Sequence, residues 1–191
     1  CPCRLFLDFT EVDTMSVQSV DLFVREDAGV LLSDIVHKEE FGEDYIVSVP
    51  RTRLKLCVWA GRGDTLSESV SIPYGEDCPP VYIHSTEIDA SYEMMSETII
   101  MRKNFCRMTL NIKMSVQSFV GLAVSGNVNG YESDGTPSSG DFNVRLHPEN
   151  DSSFCISLPR QLDESLIMEI DTGDKVVRRF PLGHYIAESG Y

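Results

Sequence analysis

Apolar and polar residues alternate at period two along this chain from Leu5 to Ile170, in two sets divided by a Pro-rich acidic stretch. The cleanest instance is Met108-Thr-Leu-Asn-Ile-Lys-Met114, where Met108, Leu110, Ile112 and Met114 share one face. Thr109, Asn111 and Lys113 take the other. Successive side chains of a strand point to opposite faces, so this pattern predicts half-buried strands of antiparallel sheets. No βαβ rhythm, heptad run or solenoid repeat competes with it. The chain reads as all-β, in two modules.

The two sets can be laid out strand by strand. The first runs Leu5–Phe9, Val17–Val24, Val30–Val36, Tyr45–Val49 and Leu54–Trp59. Leu5, Leu7 and Phe9 share a face, as do Val20, Leu22 and Val24 opposite Asp21 and Arg25. Glu26–Gly29 is hairpin chemistry, with Gly29 able to take positive φ, and Pro50–Thr52 is another tight connection. From Gly61 to Pro80 the alternation lapses into Gly, Ser, Asp, Glu and Pro, which predicts a long loop leading to a linker. A short helix is expected over Ile88–Met95. The second set follows: Thr98–Met101, Met108–Met114, Phe119–Ser125, Phe142–Leu146, Phe154–Leu158, Leu166–Ile170 and Val176–Phe180. Asn127–Gly130 and Thr172–Asp174 read as turns, and Ser133–Asp141 as a polar, flexible loop. The expected domains are residues 1–85 and 86–191, the second without its last strand or strands.

Composition excludes several functions. With 191 residues, 42% of them apolar, the chain can bury one larger core or two small ones. Its net charge of −14 leaves no basic surface to neutralise phosphates, so no nucleic-acid partner is expected. An acidic surface instead suits a secreted or surface protein and discourages sheet edges from pairing indiscriminately. No run of 18 apolar residues could span a bilayer as a helix. There is no leader-like opening segment, so any signal peptide is expected to have been removed.

Few residues form a chemical constellation. The six cysteines are too sparse for a disulfide mini-protein. Cys57, Cys106 and Cys155 sit in apolar strand contexts and read as small buried hydrophobes, while Cys78 reads as a loop thiol. Cys1 and Cys3 are a close pair with no second pair to complete a metal site. His37, His84, His147 and His184 are scattered, and no zinc-protease or nucleophile-elbow motif occurs. Glu132, Asp134 and Asp141 do not have the spacing of an EF-hand loop. No catalytic residue, metal or cofactor is therefore assigned. Arg62-Gly63-Asp64 is a candidate adhesion motif, placed in a loop just after a strand, although tripeptides of this kind arise by chance. Trp59, the sole tryptophan, reads as a core anchor because its flanks are apolar.

Several segments together resemble one family. They are Val17–Val24, the Leu56-Cys-Val-Trp-Ala-Gly61 strand end after Val49-Pro50, and Arg102-Lys-Asn104 before the alternating strand. Phe180-Pro-Leu-Gly-His-Tyr-Ile186 and Gly190-Tyr191 complete the set. In order and spacing they are similar to the FimB-type fimbrial anchor and accessory subunits of type V pili of Gram-negative gut and oral bacteria. The resemblance implies two tandem transthyretin-like antiparallel β-sandwiches in a cell-surface, outer-membrane lipoprotein that anchors, caps or tips a fimbrium. It implies no enzymatic activity. The partners it implies are fimbrial shaft or tip subunits, joined by β-strand addition. A host receptor is a further partner to test, and a lipid anchor would provide the membrane contact.

There are departures from the family pattern. Arg51-Thr52 follows Pro50 where the family usually has Gly, and Gly61–Ser85 matches poorly. The family usually continues past the Gly-Tyr pair with further strands, whereas this sequence stops at Tyr191. Cys1 is the candidate for the lipid-bearing cysteine. The other reading makes it an unmodified cysteine downstream of the true anchor, since Cys3 directly precedes the first strand without a spacer. Beside the structural role stand two alternatives. One is an adhesin module recognising host protein or glycan through Gly61–Pro80 and Ser133–Asp141. The other is a carbohydrate-active enzyme, which would need a pair of convergent buried carboxylates.

Overall fold

The structure is a computed structural model and describes residues 1–42, 44–63, 67–111, 121–146 and 153–189. Strands dominate it. The first are β1 (Cys3–Asp8), β2 (Ser19–Glu26), β3 (Gly29–His37), β4 (Tyr45–Val49) and β5 (Arg53–Ala60). Next come β6 (Val70–Ser71), β7 (Tyr82–Asp89), β8 (Met94–Thr98), β9 (Arg102–Lys103) and β10 (Phe105–Asn111). Last are β11 (Gly121–Tyr131), β12 (Pro137–Leu146), β13 (Ser153–Pro159), β14 (Ile167–Asp171) and β15 (Val177–Phe180). One α-helix, α1 (Leu182–Glu188), follows. The all-β reading therefore holds. Ile112–Met114, Phe119–Val120, His147, Asp64 and Gly190–Tyr191 lie outside the described residues.

The chain forms two compact units. The first comprises residues 1–64 and 80–104. It pairs a five-stranded sheet in the order β3-β2-β5-β7-β9 with a three-stranded sheet, β4-β1-β8. Leu5 and Leu7 of β1, Val20, Leu22 and Val24 of β2, and Leu54, Leu56 and Val58 of β5 build one buried cluster. They occupy alternate positions, as the period-two reading required. Each such side chain, fully withdrawn from water, contributes roughly 1.5–3 kcal/mol. Phe9 stacks on Phe41 at 5.4 Å and meets Tyr45 edge-on, continuing the same core.

One expectation for this unit is corrected, and two further details are filled in. Ile88–Met95 forms no helix: β7 runs to Asp89, a turn follows, and β8 begins at Met94. Asp89 fixes that turn by accepting the Ser91 N–H at 3.1 Å, and the chain thereby passes from the five-stranded to the three-stranded sheet. Because it arrives by this crossover, β8 lies parallel to β1, so the sandwich is not purely antiparallel. The boundary after residue 85 falls inside β7, whose whole length pairs with β5, while Ile99 is buried in the first core. The compact units divide instead near Asn104. Alternation alone could not show which sheet a strand joins.

The second unit comprises residues 65–79 and 105–191. Its larger sheet runs β12-β11-β14-β15, with β6 also on β11, and β10 pairs with β13 in a two-stranded sheet. Leu122, Val124 and Val128 of β11, Phe142 and Val144 of β12, and Ile156 and Leu158 of β13 are buried. Asn127–Gly130 is no turn but the end of β11, where the register with β12 shifts twice. Such irregularities bend a strand and free glycines for close approach. Gly130 is needed there, since a Cβ would lie 2.1 Å from the Val70 carbonyl oxygen of β6. Ser133–Asp141 is likewise not a slack loop. Glu132 N–H donates to the Thr136 carbonyl, and β12 begins at Pro137. Nor is Gly61–Pro80 only a linker, because it supplies β6 and buries Val70, Ile72 and Cys78.

Candidate functional site

Among the described residues β10 and β13 form a two-stranded sheet of their own in the second unit. Along β10 and β13 the pairs Cys106↔Leu158, Met108↔Ile156 and Leu110↔Phe154 share one face. Ile156 and Leu158 are fully buried, yet Cys106, Met108 and Leu110 across from them are only half-buried. Coverage is therefore complete on the β13 side and partial on the β10 side.

The cause lies at the edges. The outer edge of β13 is covered by the segment before Pro79: Cys78 N–H donates to the Ser157 carbonyl at 3.0 Å, and Asp77 accepts the Ser157 N–H at 3.5 Å. Tyr131 locks that segment in place. Its buried hydroxyl accepts the Arg160 N–H at 2.9 Å and lies 3.8 Å from the Cys78 sulfur. Burial, and secondarily the nearby Asp77 charge, pushes the Cys78 thiol up to about 12. Among the described residues no strand pairs the outer edge of β10. Every second residue there aims its N–H and C=O away from β13, and Arg107 is the only charge on a strand without proline. An extended segment could add to this edge.

The residues singled out from the sequence are not brought together. Arg62 is not on display: its side chain is only 2% exposed and pairs with Asp21, at 3.0 Å from Nε and 2.7 Å from Nη2. The guanidinium lies over the rings of Phe23, at 5.2 Å, and Trp59, at 5.7 Å. Gly63 is exposed with φ of 75°, and Asp64 is outside the described residues. A receptor-binding arginine must project, whereas Arg62 roofs a buried tryptophan. Trp59 is buried as an anchor, though on the face of β5 opposite Leu56 and Val58.

The cysteines divide by position. Cys1 is exposed and Cys3 buried; Cys57 and Cys78 are buried, Cys106 is half-buried and Cys155 exposed. Cys155 thus departs from the buried reading, because it falls on the outward phase of β13 opposite Thr109. Among the described residues no disulfide forms, and no group of three or more His, Cys, Asp or Glu side chains could hold a metal. Sequence reasoning missed Asp77, Cys78 and Tyr131 as a locking group. The Cys-Pro-Pro run was the available signal, since a residue before proline is held extended.

No family model matches the chain, and no curated protein sequence does. Solved structures do match, over nearly its whole length. A candidate adhesin from Bacteroides ovatus is 14% identical with a TM-score of 0.70, covering 98% of this chain and 78% of its own. A second candidate adhesin, from Bacteroides thetaiotaomicron, is 13% identical with a TM-score of 0.69, covering 100% and 84%. The fimbrial anchor protein Mfa2 from Porphyromonas gingivalis is 12% identical with a TM-score of 0.66, covering 98% and 84%. Identities this low speak to architecture. This chain has the fold of the Bacteroides adhesin structures and the Porphyromonas fimbrial anchor, as its sequence resemblance to fimbrial accessory subunits implied.

Proposed function

We propose that this chain is a fimbrial accessory subunit of the cell surface, acting as anchor, cap or tip, and that a neighbouring subunit joins it by adding an extended strand to β10. The observation that supports the reading is the likeness of its fold, over 98% of the chain, to a fimbrial anchor protein. The half-covered apolar face of β10, beside an edge without a described partner strand, supports the mode of joining. Backbone hydrogen bonds would supply affinity, and the row beside Cys106, Met108 and Leu110 would select the incoming side chains. The role is structural, with no reaction to catalyse. Cys1, exposed ahead of β1, is the proposed lipid attachment point for an outer-membrane anchor.

Deleting the gene in its own organism tests the role. An anchor's loss releases long fimbriae into the medium, and a tip's loss leaves attached fimbriae lacking the protein at their ends. Fimbriae of unchanged length, attachment and composition overturn the proposal. Metabolic labelling with an alkyne fatty acid tests Cys1: label should enter the chain and disappear in Cys1→Ser.

A further inference from the structure

The second unit carries an open pocket of about 330 Å³ that strand addition does not use. Tyr74, Asn127, Asp141 and Asn143 line it, with Ser125 and Ser165. Tyr74 stands in the polar segment between β6 and β7, on a backbone turn that is fixed at both ends. Glu76 N–H donates to the Pro73 carbonyl at 3.1 Å, closing a turn with Tyr74 and Gly75 at its centre. Gly75 has φ of +91°, which that turn geometry reserves for glycine. Gly75 N–H then donates to the Asn143 carbonyl at 2.8 Å, pinning the turn to β12. The result is a tyrosine 70% exposed on a fixed backbone at the pocket edge.

The rest of the lining is polar. Asn127 donates its Nδ2 hydrogen to Asp163 Oδ2 at 2.9 Å, which fixes the amide and leaves its Oδ1 as an acceptor. The Asn143 side-chain oxygen is buried and has no hydrogen-bond partner among the described residues. Buried polar atoms in native proteins are rarely left so, and terminal amide torsions are soft enough to meet an incoming donor. Asp141 adds an acceptor. Among the described residues no lysine or arginine lines the pocket, and the chain carries a net charge of −14. Anionic ligands therefore find no counter-charge and an unfavourable field.

We propose that this pocket binds a neutral sugar. A sugar ring offers an apolar C–H face to the tyrosine ring and hydroxyls, each both donor and acceptor, to the amides and carboxylate. The volume lies at the small end of ligand pockets, which suits one or two rings. The inference does not depend on strand addition at β10, and either can fail alone.

The test is an array of neutral glycans beside their sialylated and sulfated counterparts, probed with the intact chain, followed by calorimetry on the best neutral binder. Neutral glycans should bind, with affinity falling about tenfold or more in Tyr74→Ala and kept in Tyr74→Trp. Asp141→Ala, also at an exposed residue, should weaken binding, and circular dichroism should show both variants folded. The proposal is overturned by absence of any neutral glycan binding at millimolar concentration. Binding indifferent to Tyr74→Ala, or a preference for the acidic glycans, overturns it equally.

Discussion

Replacing Arg62 with alanine removes the roof over the only tryptophan, and the cost can be worked from its contacts. The side chain is 2% exposed and makes two charge-assisted bonds to Asp21. Such bonds contribute roughly 1.5–3 kcal/mol when desolvated, but Asp21 remains 27% exposed, so water recovers part of its solvation. About 1–2 kcal/mol is a fair figure for the pair. The stacking on Phe23 and Trp59 adds roughly 0.5–1 kcal/mol per ring. These terms overlap, because one guanidinium makes them all. The expected loss is about 2–3 kcal/mol, a fall in Tm of roughly 10–20 °C for a unit this size. Urea unfolding followed by Trp59 fluorescence reads the first unit alone, since no other tryptophan contributes. The midpoint should drop and native emission shift toward the red. Arg62→Lys, keeping charge but losing the planar stack, should recover about half. A loss below roughly 0.5 kcal/mol with unchanged emission would refute the roofing role.

Other expectations follow from single contacts. Gly130→Ala drives a Cβ to 2.1 Å from the Val70 oxygen and should detach β6, costing about 1–3 kcal/mol; hydrogen exchange would show lost protection at Ile72, whose N–H is held by Asn129. At pH 8 an alkylating reagent should label the exposed Cys155 and spare Cys78 until urea is added. Alkali should destabilise the protein. Burial raises the Cys78 thiol from 9.0 to about 12 and raises the Tyr45 and Tyr131 phenols above 10.0. A raised folded value means the neutral form is favoured by folding, so that stability is complete below pH 9 and is lost as pH rises toward 12. A denaturant midpoint flat from pH 8 to 11 would contradict this.

The period-two signal was legible wherever one strand face is buried and the other wet. Leu5 with Leu7, and Val20 with Leu22 and Val24, lie on the predicted face because register by residue parity leaves no other choice. Sheet membership was not legible. β7 and β8 alternate like any other strands, and only the Asp89–Ser91 turn carries them from one sheet to the other. Glycines misled in a specific way: Asn127–Gly130 has turn composition but lies within β11, where Gly130 serves the approach of β6. The reading of residues 61–80 as a long loop leading to a linker fell short for a similar reason. Its polar composition hides Val70 and Ile72, which are too few to form a pattern yet enough to seat the segment. Burial of Arg62 could not be foreseen, because its partner Asp21 lies on another strand and both are ordinarily surface residues.

Photo-crosslinking on the assembled fimbria tests the proposed strand addition at β10. A benzoyl-phenylalanine at the exposed Thr109, in cells making intact fimbriae, should capture a second fimbrial subunit on irradiation. The same group at the exposed Ser33 on β3 should capture none. Mass spectrometry of the Thr109 adduct should place the crosslink in an extended, alternating segment of that subunit. Equal capture from both strands, or none from Thr109 in fimbriae that contain the protein, would contradict the account.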